Sequence, residues 1–285
     1  SLRARRRKAS KAGAARRVIV DLELGGKKAI VTGGSRGIGK AIARELATEG
    51  VDVAITARGR EALETTAKEL SEETGRRIVP IVADTRDDAA VKAMVEEAVG
   101  ALGRVDILVN NAARVGGPSP VPKLADLTYE MLSDEVDTKV MGYIRCAQEA
   151  APHMRKQGWG RIINISGMAA RGTGTTIGSI RNVSVVAMTK NLADELGPDG
   201  INVTVVHPGA TRTERTAGVI ADRARSEGIS EEEAERQMAQ GNSTRRIVDA
   251  REIAYVVTFL ASPKSVAING DVIAAGGGVG RAIHY

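Results

Sequence analysis

A run of glycines between a short apolar strand and a helix is the first feature of this sequence that could bind a ligand. The segment Gly33-Gly-Ser-Arg-Gly-Ile-Gly39 follows the run Lys28–Thr32 and opens an amphipathic helix predicted over 37–49. Glycines at this spacing allow a tight turn in which backbone N–H groups and the helix dipole face a diphosphate. We therefore predict dinucleotide binding by Gly33, Ser35, Arg36, Gly37, Ile38 and Gly39.

Two arginines near this loop indicate which dinucleotide binds. An NAD site usually carries Asp or Glu at the end of the second strand, about 20 residues on. Here that strand ends Ala54-Ile-Thr-Ala-Arg58, without a carboxylate. Arg36 and Arg58 can form bidentate hydrogen bonds with a 2′-phosphate, which predicts NADP(H) as the cofactor. The alternative is that both are ordinary surface arginines.

These groups depend for their positions on an alternation of strands and helices. Apolar runs predict strands at 28–32, 51–56, 78–83, 106–110, 161–166, 201–207 and 266–274. Helical patterns fill the intervals at 37–49, 60–74, 87–102, 128–157, 177–196 and 250–260. Such an alternation predicts an α/β fold with a doubly wound, Rossmann-type parallel sheet of about seven strands in a single domain.

We expect residues 1–23 to be a basic, flexible extension and residues 24–285 to be the NADP-binding domain. Within that domain, a charged stretch at 210–246 follows the sixth predicted strand. Because open α/β sheets bind ligands at the carboxyl ends of their strands, we interpret this insertion as a substrate lid. The alternative is a helical excursion on the surface.

Charge is distributed unevenly along the 285 residues. The formal net charge is +6, of which +8 lies in residues 1–20 and −2 in the remaining 265. The extension could attract nucleic acid or anionic lipid by charge alone, although we favour a solvated tail. A single cysteine, no metal-ligand spacing and no apolar run near 18 residues lead us to expect no metal and a cytoplasmic protein.

Further motifs make the sequence resemble the short-chain dehydrogenase/reductase family over residues 24–278. The motifs are Thr32-Gly-x-x-x-Gly-x-Gly39, Asp84, Asn110-Asn-Ala112, Asn164-Ile-Ser166 and Pro208-Gly209. The resemblance implies that adenine contacts come from Asp84 and Thr85, and that the cofactor path is lined by Asn110 and Ala112. It also implies that the nicotinamide and phosphates are flanked by Pro208, Gly209, Thr211 and Thr213. A homotetramer or homodimer built on the helices at 128–157 and 177–196 is implied as well.

The catalytic Tyr-x-x-x-Lys pattern of that family has no match here. In the family the Tyr delivers a proton to the substrate and the Lys lowers its pKa, while a Ser holds the substrate oxygen and an Asn supports a proton relay. Alignment places Gly178 at the Tyr position and Asn182 at the Lys position. A frame shifted by two residues gives Ile180 and Ser184 instead. Neither frame supplies a Tyr or a Lys.

The asparagine and lysine of the pattern are exchanged in this sequence. Lys139 stands at the Asn position, Asn182 stands at the Lys position, and the Ser position falls on Gly167 with Ser166 one residue earlier. We predict a catalytic set of Ser166, Lys139 and Asn182, in which Lys139 supplies the positive charge and the proton and Ser166 holds the substrate oxygen. The alternative is an ion-paired or surface lysine with an unrelated amide opposite.

The remaining candidate acids and bases are expected to be structural. Tyr143 lies one helical turn after Lys139 and is interpreted as helix packing. His153, His207 and His284 are expected to be structural or exposed.

The sequence therefore predicts an NADP(H)-dependent oxidoreductase with an altered proton-transfer site. Its substrate would be a carbonyl, an alcohol or an activated alkene. One alternative is a catalytically inactive NADP-binding sensor or partner subunit, and another is association with nucleic acid or membranes through the tail.

Overall fold

The computed structural model describes residues 20–113 and 121–280, so most of the predicted basic extension and His284 lie outside the described residues. Its main sheet has seven parallel strands in the order β3-β2-β1-β4-β5-β6-β9. They are β1 (Lys28–Thr32), β2 (Asp52–Ala57), β3 (Ile78–Val82), β4 (Ile107–Asn110), β5 (Gly160–Ile165), β6 (Ile201–Pro208) and β9 (Val272–Ala275). The predicted doubly wound sheet is confirmed, and its strand order reverses between β1 and β4, where open sheets bind ligands.

Helices cover both faces of this sheet. They are α1 (Gly37–Thr48), α2 (Arg60–Thr74), α3 (Asp88–Leu102), α4 (Tyr129–Glu135), α5 (Gly142–Gln157), α6 (Thr176–Leu196), α7 (Thr216–Glu227), α8 (Glu231–Gln240) and α9 (Ala250–Ala261). Successive side chains of a strand point to opposite faces, so α1, α2 and α9 pack on one side of β1 and α3, α5 and α6 on the other. The two resulting cores hold the carboxyl ends of the strands in fixed register.

The predicted helix at 128–157 is interrupted. Between α4 and α5 the chain forms a π-helical segment, Val136–Met141, before the α-helix resumes at Gly142. A π-helical turn inserts one extra residue and rotates the side chains that follow it, and such turns are frequent at functional sites. This segment contains Lys139, so the irregularity decides where that side chain points.

The last predicted strand was too long. β9 begins at Val272 and not at 266, because Ser262 caps a short 3-10 turn, Pro263–Ser265, and the chain then loops back. Asn202 holds that loop by donating to the carbonyl oxygens of Val266 (2.8 Å) and Ile268 (3.1 Å). These apolar residues therefore pack as a loop, which a hydrophobic pattern alone does not separate from a strand.

The segment predicted as a lid contains two helices and a strand. β7 (Thr211–Arg212) pairs in parallel with β8 (Val248–Asp249), a small second sheet that the sequence did not predict. The most charged part of this segment, residues 226–236, is divided between two helices, because Gly228 ends α7 in the left-handed conformation and Ser230 caps α8. Helices α7 and α8 pack mainly against each other.

Candidate functional site

The glycine turn after β1 fits a diphosphate-binding loop. Gly33 and Gly37 adopt positive φ angles of 67° and 57°, which other residues rarely adopt. A Cβ atom on Gly39 would lie 2.2 Å from the Gly33 carbonyl oxygen, so only glycine lets helix α1 begin this close to the turn. The first turn of α1 thereby presents backbone N–H groups at the carboxyl edge of the sheet.

A second set of contacts ties this turn to the end of β4. The Thr32 hydroxyl oxygen accepts hydrogen bonds from the backbone N–H groups of Asn111 (2.9 Å) and Ala112 (3.0 Å). The Asn111 side chain donates in return to the carbonyl oxygens of Thr32 (3.0 Å) and Gly33 (3.2 Å). Asn111 and Thr32 were within the quoted motifs but were not singled out, because their role requires two strands distant in sequence to be neighbours.

Arg36 and Arg58 lie at the same edge of the sheet, one after β1 and the other after the adjacent β2. Both are exposed, and within residues 20–113 and 121–280 neither forms an ion pair. Nearby, the Ser35 carbonyl oxygen accepts from the Thr66 hydroxyl (2.9 Å), which fixes the loop to α2. Two free guanidinium groups beside a glycine turn can bind a phosphate.

The loop after β6 meets the glycine turn from the other side. A Cβ atom on Gly209 would lie 2.8 Å from the Gly276 Cα, so the chain after Pro208 is closely packed. The Thr213 methyl group lies against Gly37, and the Thr211 hydroxyl donates to the Gly209 carbonyl (2.9 Å). Of the predicted residues in this loop, Thr213 contacts the glycine turn directly, and Pro208, Gly209 and Thr211 precede it along the chain.

The neighbouring residue Glu214 was not expected at this position. One of its carboxylate oxygens accepts a hydrogen bond from the Gly37 N–H group at 3.1 Å. A carboxylate therefore lies where the N-terminus of α1 attracts an anion. No sequence pattern predicts this contact, because Glu214 and Gly37 are 177 residues apart.

The other predicted cofactor residues differ in whether their side chains are free to contact a cofactor or are used in contacts within the protein. Asp84 accepts from the Arg86 N–H (3.0 Å), whereas Thr85 is buried against Gly142 of α5. The Asn110 amide is buried and donates to the Asn164 Oδ1 (2.9 Å). The Asn110 side chain is therefore used to join β4 to β5.

Lys139, Asn182 and Ser166 meet at the carboxyl end of β5. The Lys139 Nζ donates to the Ser166 carbonyl oxygen and to the Asn182 Oδ1, both at 3.0 Å. The Ser166 hydroxyl donates to the Asn182 carbonyl oxygen at 3.1 Å. Lys139 is only 4 % exposed, so its amine is enclosed by these polar groups. The π-helical segment and helix α6 thus bring an amine and an amide within hydrogen-bonding distance of each other.

Burial changes the proton affinity of this lysine. Desolvation, followed by the positive charge of Arg181, lowers the pKa of Lys139 to about 7, while the Glu135 carboxylate acts in the opposite direction. Glu135 and Arg181 form a buried ion pair with each other. An amine with a pKa near neutrality can act both as an acid and as a base at physiological pH.

Gly178, one of the two residues predicted at the Tyr position, is closely packed, and so is Gly167. A Cβ atom on Gly178 would lie 2.6 Å from the methyl group of Thr175, the residue that caps helix α6. A Cβ atom on Gly167 would lie 3.2 Å from the Asn182 Nδ2. The small residues at these two positions therefore leave room for Thr175 and for the Asn182 amide.

Tyr143 and His207 are buried beside this cluster. The Tyr143 hydroxyl donates to the Ile165 carbonyl oxygen (2.9 Å), and burial raises its pKa above the usual value. His207 is 1 % exposed, and desolvation, with the Arg171 and Lys139 charges, lowers its pKa to about 4. Tyr143 therefore stays protonated and His207 stays neutral near pH 7.

Two kinds of feature are absent from the described residues. Between residues 20 and 113 and between 121 and 280, no group of three His, Cys, Asp or Glu side chains is placed to hold a metal ion. Across the same residues, no helix has the length and apolar character needed to cross a membrane.

Known proteins match nearly the whole described chain. A family model described as enoyl-(acyl carrier protein) reductase matches residues 33–280. The 3-oxoacyl-[acyl-carrier-protein] reductase of Staphylococcus aureus is 35% identical over 256 residues, which cover 89% of this chain and 98% of that protein. The family match covers the glycine turn, the helical segments that carry Lys139 and Asn182, and the segment 210–246.

Solved structures are similar over the same extent. The L-sorbose reductase of Gluconobacter frateurii, in complex with NADPH and L-sorbose, has a TM-score of 0.86 and 27% identity, covering 92% of this chain and 100% of that one. A variant of the actinorhodin polyketide ketoreductase with NADPH has a TM-score of 0.82 and 35% identity, covering 90% and 98%. This chain therefore belongs to the short-chain dehydrogenase/reductase family of oxidoreductases.

Proposed function

We propose that this chain is an NADP(H)-dependent oxidoreductase that interconverts a carbonyl and an alcohol. In this proposal Lys139 donates and accepts the proton in place of the Tyr-x-x-x-Lys pair. The observation that carries the proposal is the enclosed Lys139 amine, held between Ser166 and Asn182 at the carboxyl end of β5. The lack of the usual Tyr and Lys is part of this proposal.

The glycine turn and two arginines support NADP(H) as the cofactor. Gly33, Gly37 and Gly39 would hold the diphosphate, and Arg36 and Arg58 would bind the 2′-phosphate. When bound, the nicotinamide supplies or accepts a hydride. The solved relatives that contain NADPH are consistent with this assignment. Asp84, Thr85, Asn110, Ala112, Pro208, Gly209, Thr211 and Thr213 stay predicted members of the site.

The protein itself contributes the proton that the substrate oxygen receives, and this proton is carried by the Lys139 Nζ. As an ammonium, Lys139 has three donors, two of which are used by Ser166 and Asn182. The third can donate to a substrate oxygen, and a pKa of about 7 lets the proton leave and return. Asn182 orients the amine through its Oδ1. Ser166 must rotate away from the Asn182 carbonyl before its hydroxyl can hold the substrate oxygen.

Relatives support a carbonyl group as the reacting group. The names of a 3-oxoacyl reductase and an L-sorbose reductase both describe the reduction of a carbonyl compound, although the matched family model is described as an enoyl reductase. A test panel therefore includes ketones, the corresponding alcohols and activated alkenes.

The decisive experiment measures NADPH consumption by the full chain across this panel. We expect turnover of at least one carbonyl compound, and we expect Lys139→Ala to lower kcat by about 100-fold or more, because general acid–base catalysis contributes about 10²–10⁴-fold. Tyr143→Phe is the control, because Tyr143 donates to the backbone and stays protonated. Equal activity of Lys139→Ala and the unaltered chain would contradict the role of Lys139.

Binding without turnover has a different meaning. If NADPH fluorescence changes on addition of the protein but NADPH is never consumed, the chain is a cofactor-binding sensor or partner subunit. If Arg58→Ala loses its affinity for NADPH but keeps its affinity for NADH, the proposed recognition of the 2′-phosphate is still supported.

We also propose that the chain assembles with copies of itself. Helix α6 leaves Ile180 (43 %) and Val183 (49 %) exposed, and Met141 at the end of the π-helical segment is 38 % exposed. These apolar groups lie on the helices on which the family resemblance implies an interface. Sedimentation of the purified chain measures the number of copies.

A further inference from the structure

A buried ion pair beside Lys139 is not used in the proposed reaction. Glu135 is the last residue of α4 and Arg181 belongs to α6, and their side chains are only 4 % and 12 % exposed. Burying two charges costs several kcal/mol per ion before their attraction is counted, so such a pair is weak evidence of stabilisation by itself. Its position suggests another role.

Each member of the ion pair adjoins one member of the Lys139–Asn182 contact. Glu135 immediately precedes the π-helical segment that carries Lys139, and Arg181 immediately precedes Asn182. The ion pair and the Lys139–Asn182 hydrogen bond therefore form two consecutive cross-links between the same pair of helical segments.

The Arg181 guanidinium is not saturated by this pairing. Its Nε is buried and has no hydrogen-bond partner among the described residues. A guanidinium that served only as a structural cross-link would be expected to use its donors fully, because an unsatisfied buried donor costs free energy. Its positive charge is thus kept close to the Lys139 cluster at some cost.

The charges around Lys139 come from few groups in the part of the chain that the structure describes. Glu135 precedes it on its own helical segment and Arg181 faces it from α6. His207 on β6 has a pKa of about 4 and is neutral near pH 7, and Tyr143 stays protonated. Arg171, in the loop after β5, acts on His207. The strongest nearby charges are therefore opposed.

We propose that Glu135 and Arg181 are positioning residues for Lys139, which hold its amine against Asn182 and Ser166 and set, through two opposed charges, how strongly it retains its proton. The inference rests on the proposed function for its significance in catalysis. Its physical content can be tested without substrate or cofactor.

Opposed charges predict shifts of opposite sign. Removal of the Glu135 carboxylate in Glu135→Gln leaves the Arg181 charge unbalanced and should make Lys139 lose its proton at a lower pH. Removal of the guanidinium in Arg181→Met should have the reverse effect. In the double variant both charges are gone, so the midpoint should return toward that of the unaltered chain. Damage to the fold would instead move both single variants in the same direction.

The experiment is an NMR titration of the cofactor-free full chain labelled with ¹³C-lysine. The Lys139 Cε signal is assigned by its loss in Lys139→Met. We expect the midpoint to fall by about 1 pH unit in Glu135→Gln and to rise by about 1 unit in Arg181→Met, the range caused by charges within a few ångströms. The conservative variant Arg181→Lys should leave the midpoint close to its original value.

A second ion pair on the same helix is the matched control. Lys190 and Asp194 on α6 are 2.8 Å apart and exposed, so Asp194→Asn should not move the Lys139 midpoint. The proposal is overturned if the two single variants shift the midpoint in the same direction or leave it unchanged. If Glu135→Gln does not fold, the upward shift in Arg181→Met still tests the sign, with the charge-conserving Arg181→Lys as its comparison. Absence of NADPH turnover would refute the proposed function and leave this titration interpretable.

Discussion

A buried amine can be neutral or charged. The free-energy difference between these two forms in the folded chain affects the measured free energy of unfolding. Lys139 makes two hydrogen bonds at 3.0 Å and is almost fully buried. Its lowered pKa means that the folded chain disfavours the ammonium relative to the unfolded chain. The free energy of unfolding must therefore depend on pH through this residue.

We predict that the stability difference between the unaltered chain and Lys139→Met changes with pH. In the folded chain Lys139 loses its proton at about pH 7, whereas in the unfolded chain it does so near pH 10.4. Between these values the unfolded chain binds one proton more, so the unaltered chain gains about 1.4 kcal/mol per pH unit as pH rises. This contribution is fully present above about pH 10.4 and is lost as pH falls through 7.

Urea unfolding at several pH values above 7 measures this dependence. That range avoids the titration of His207, which adjoins Lys139 and has a pKa of about 4 when folded. Lys190→Met is the control, because Lys190 is 60 % exposed. Parallel stability curves for Lys139→Met and the unaltered chain would contradict the lowered pKa.

At the scale of single residues, the sequence predicted some members of the Lys139 cluster and missed others. The exchange of lysine and asparagine was visible because both positions lie in family motifs, so the Lys139–Asn182 pair could be proposed. The partners Glu135 and Arg181 could not, because they are 46 residues apart and follow no motif. Ser166 was predicted to hold the substrate oxygen, but its hydroxyl donates to the Asn182 carbonyl, a contact that depends on where α6 lies.

At the scale of elements, the site is formed where helix and strand ends converge. Helix α1 begins at the glycine turn, and its dipole favours an anion there. In the structure that anion is the Glu214 carboxylate, brought to Gly37 by the short loop between β7 and α7. A diphosphate that binds the same N–H group must displace this carboxylate or lie beside it.

We predict that Glu214→Gln binds NADPH about five-fold more tightly than the unaltered chain. The neutral amide removes repulsion of about 1 kcal/mol between the carboxylate and a diphosphate a few ångströms away. Fluorescence titration with NADPH at low ionic strength measures the change. Because screening weakens the repulsion, the difference between the two proteins should shrink in added salt.

Another carboxylate of the same insertion provides the comparison. Glu227 at the end of α7 pairs with Arg223 on its own helix and makes no contact with the glycine turn in the described structure. Glu227→Gln should leave the NADPH affinity unchanged. Equal tightening in both variants would show that overall charge, and not the Gly37 contact, controls binding.

Element types were predictable because their patterns are local, whereas element ends were not. The strands around the glycine turn alternate with amphipathic helices, and this rhythm alone specifies the parallel sheet. The start of β9 depends on Asn202, which is 64 residues before the loop that it holds. The π-helical segment Val136–Met141 likewise has no pattern in sequence that distinguishes it from α-helix.

At the scale of the molecule, the described residues form two large cores and two small ones, one of which surrounds Tyr143. The large cores lie on the two faces of the seven-stranded sheet and share its strands. The other small core lies in the insertion and joins α7 and α8. It consists of Ile220, Ala224, Ala234 and Ile247. An ion pair between Arg212 and Glu235 and hydrogen bonds from Ser243 and Thr244 to the chain at 277–278 connect this insertion to the body. Because it has few buried groups, we expect it to open separately from the sheet.

We predict that residues 216–240 exchange their amide hydrogens faster than the strands of the main sheet, and that NADPH slows this exchange. Segments with few buried apolar contacts open at lower free energy than the global unfolding. Ile220→Ala removes a side chain that is 5 % exposed, so it should speed exchange in α7 and α8 by about ten-fold or more and leave β1, β4 and β5 unchanged. Val219→Ala, on the same helix but 49 % exposed, should have no such effect. If exchange in the sheet rises together with exchange in α7 and α8, the insertion is part of the main cooperative unit and cannot open as a lid.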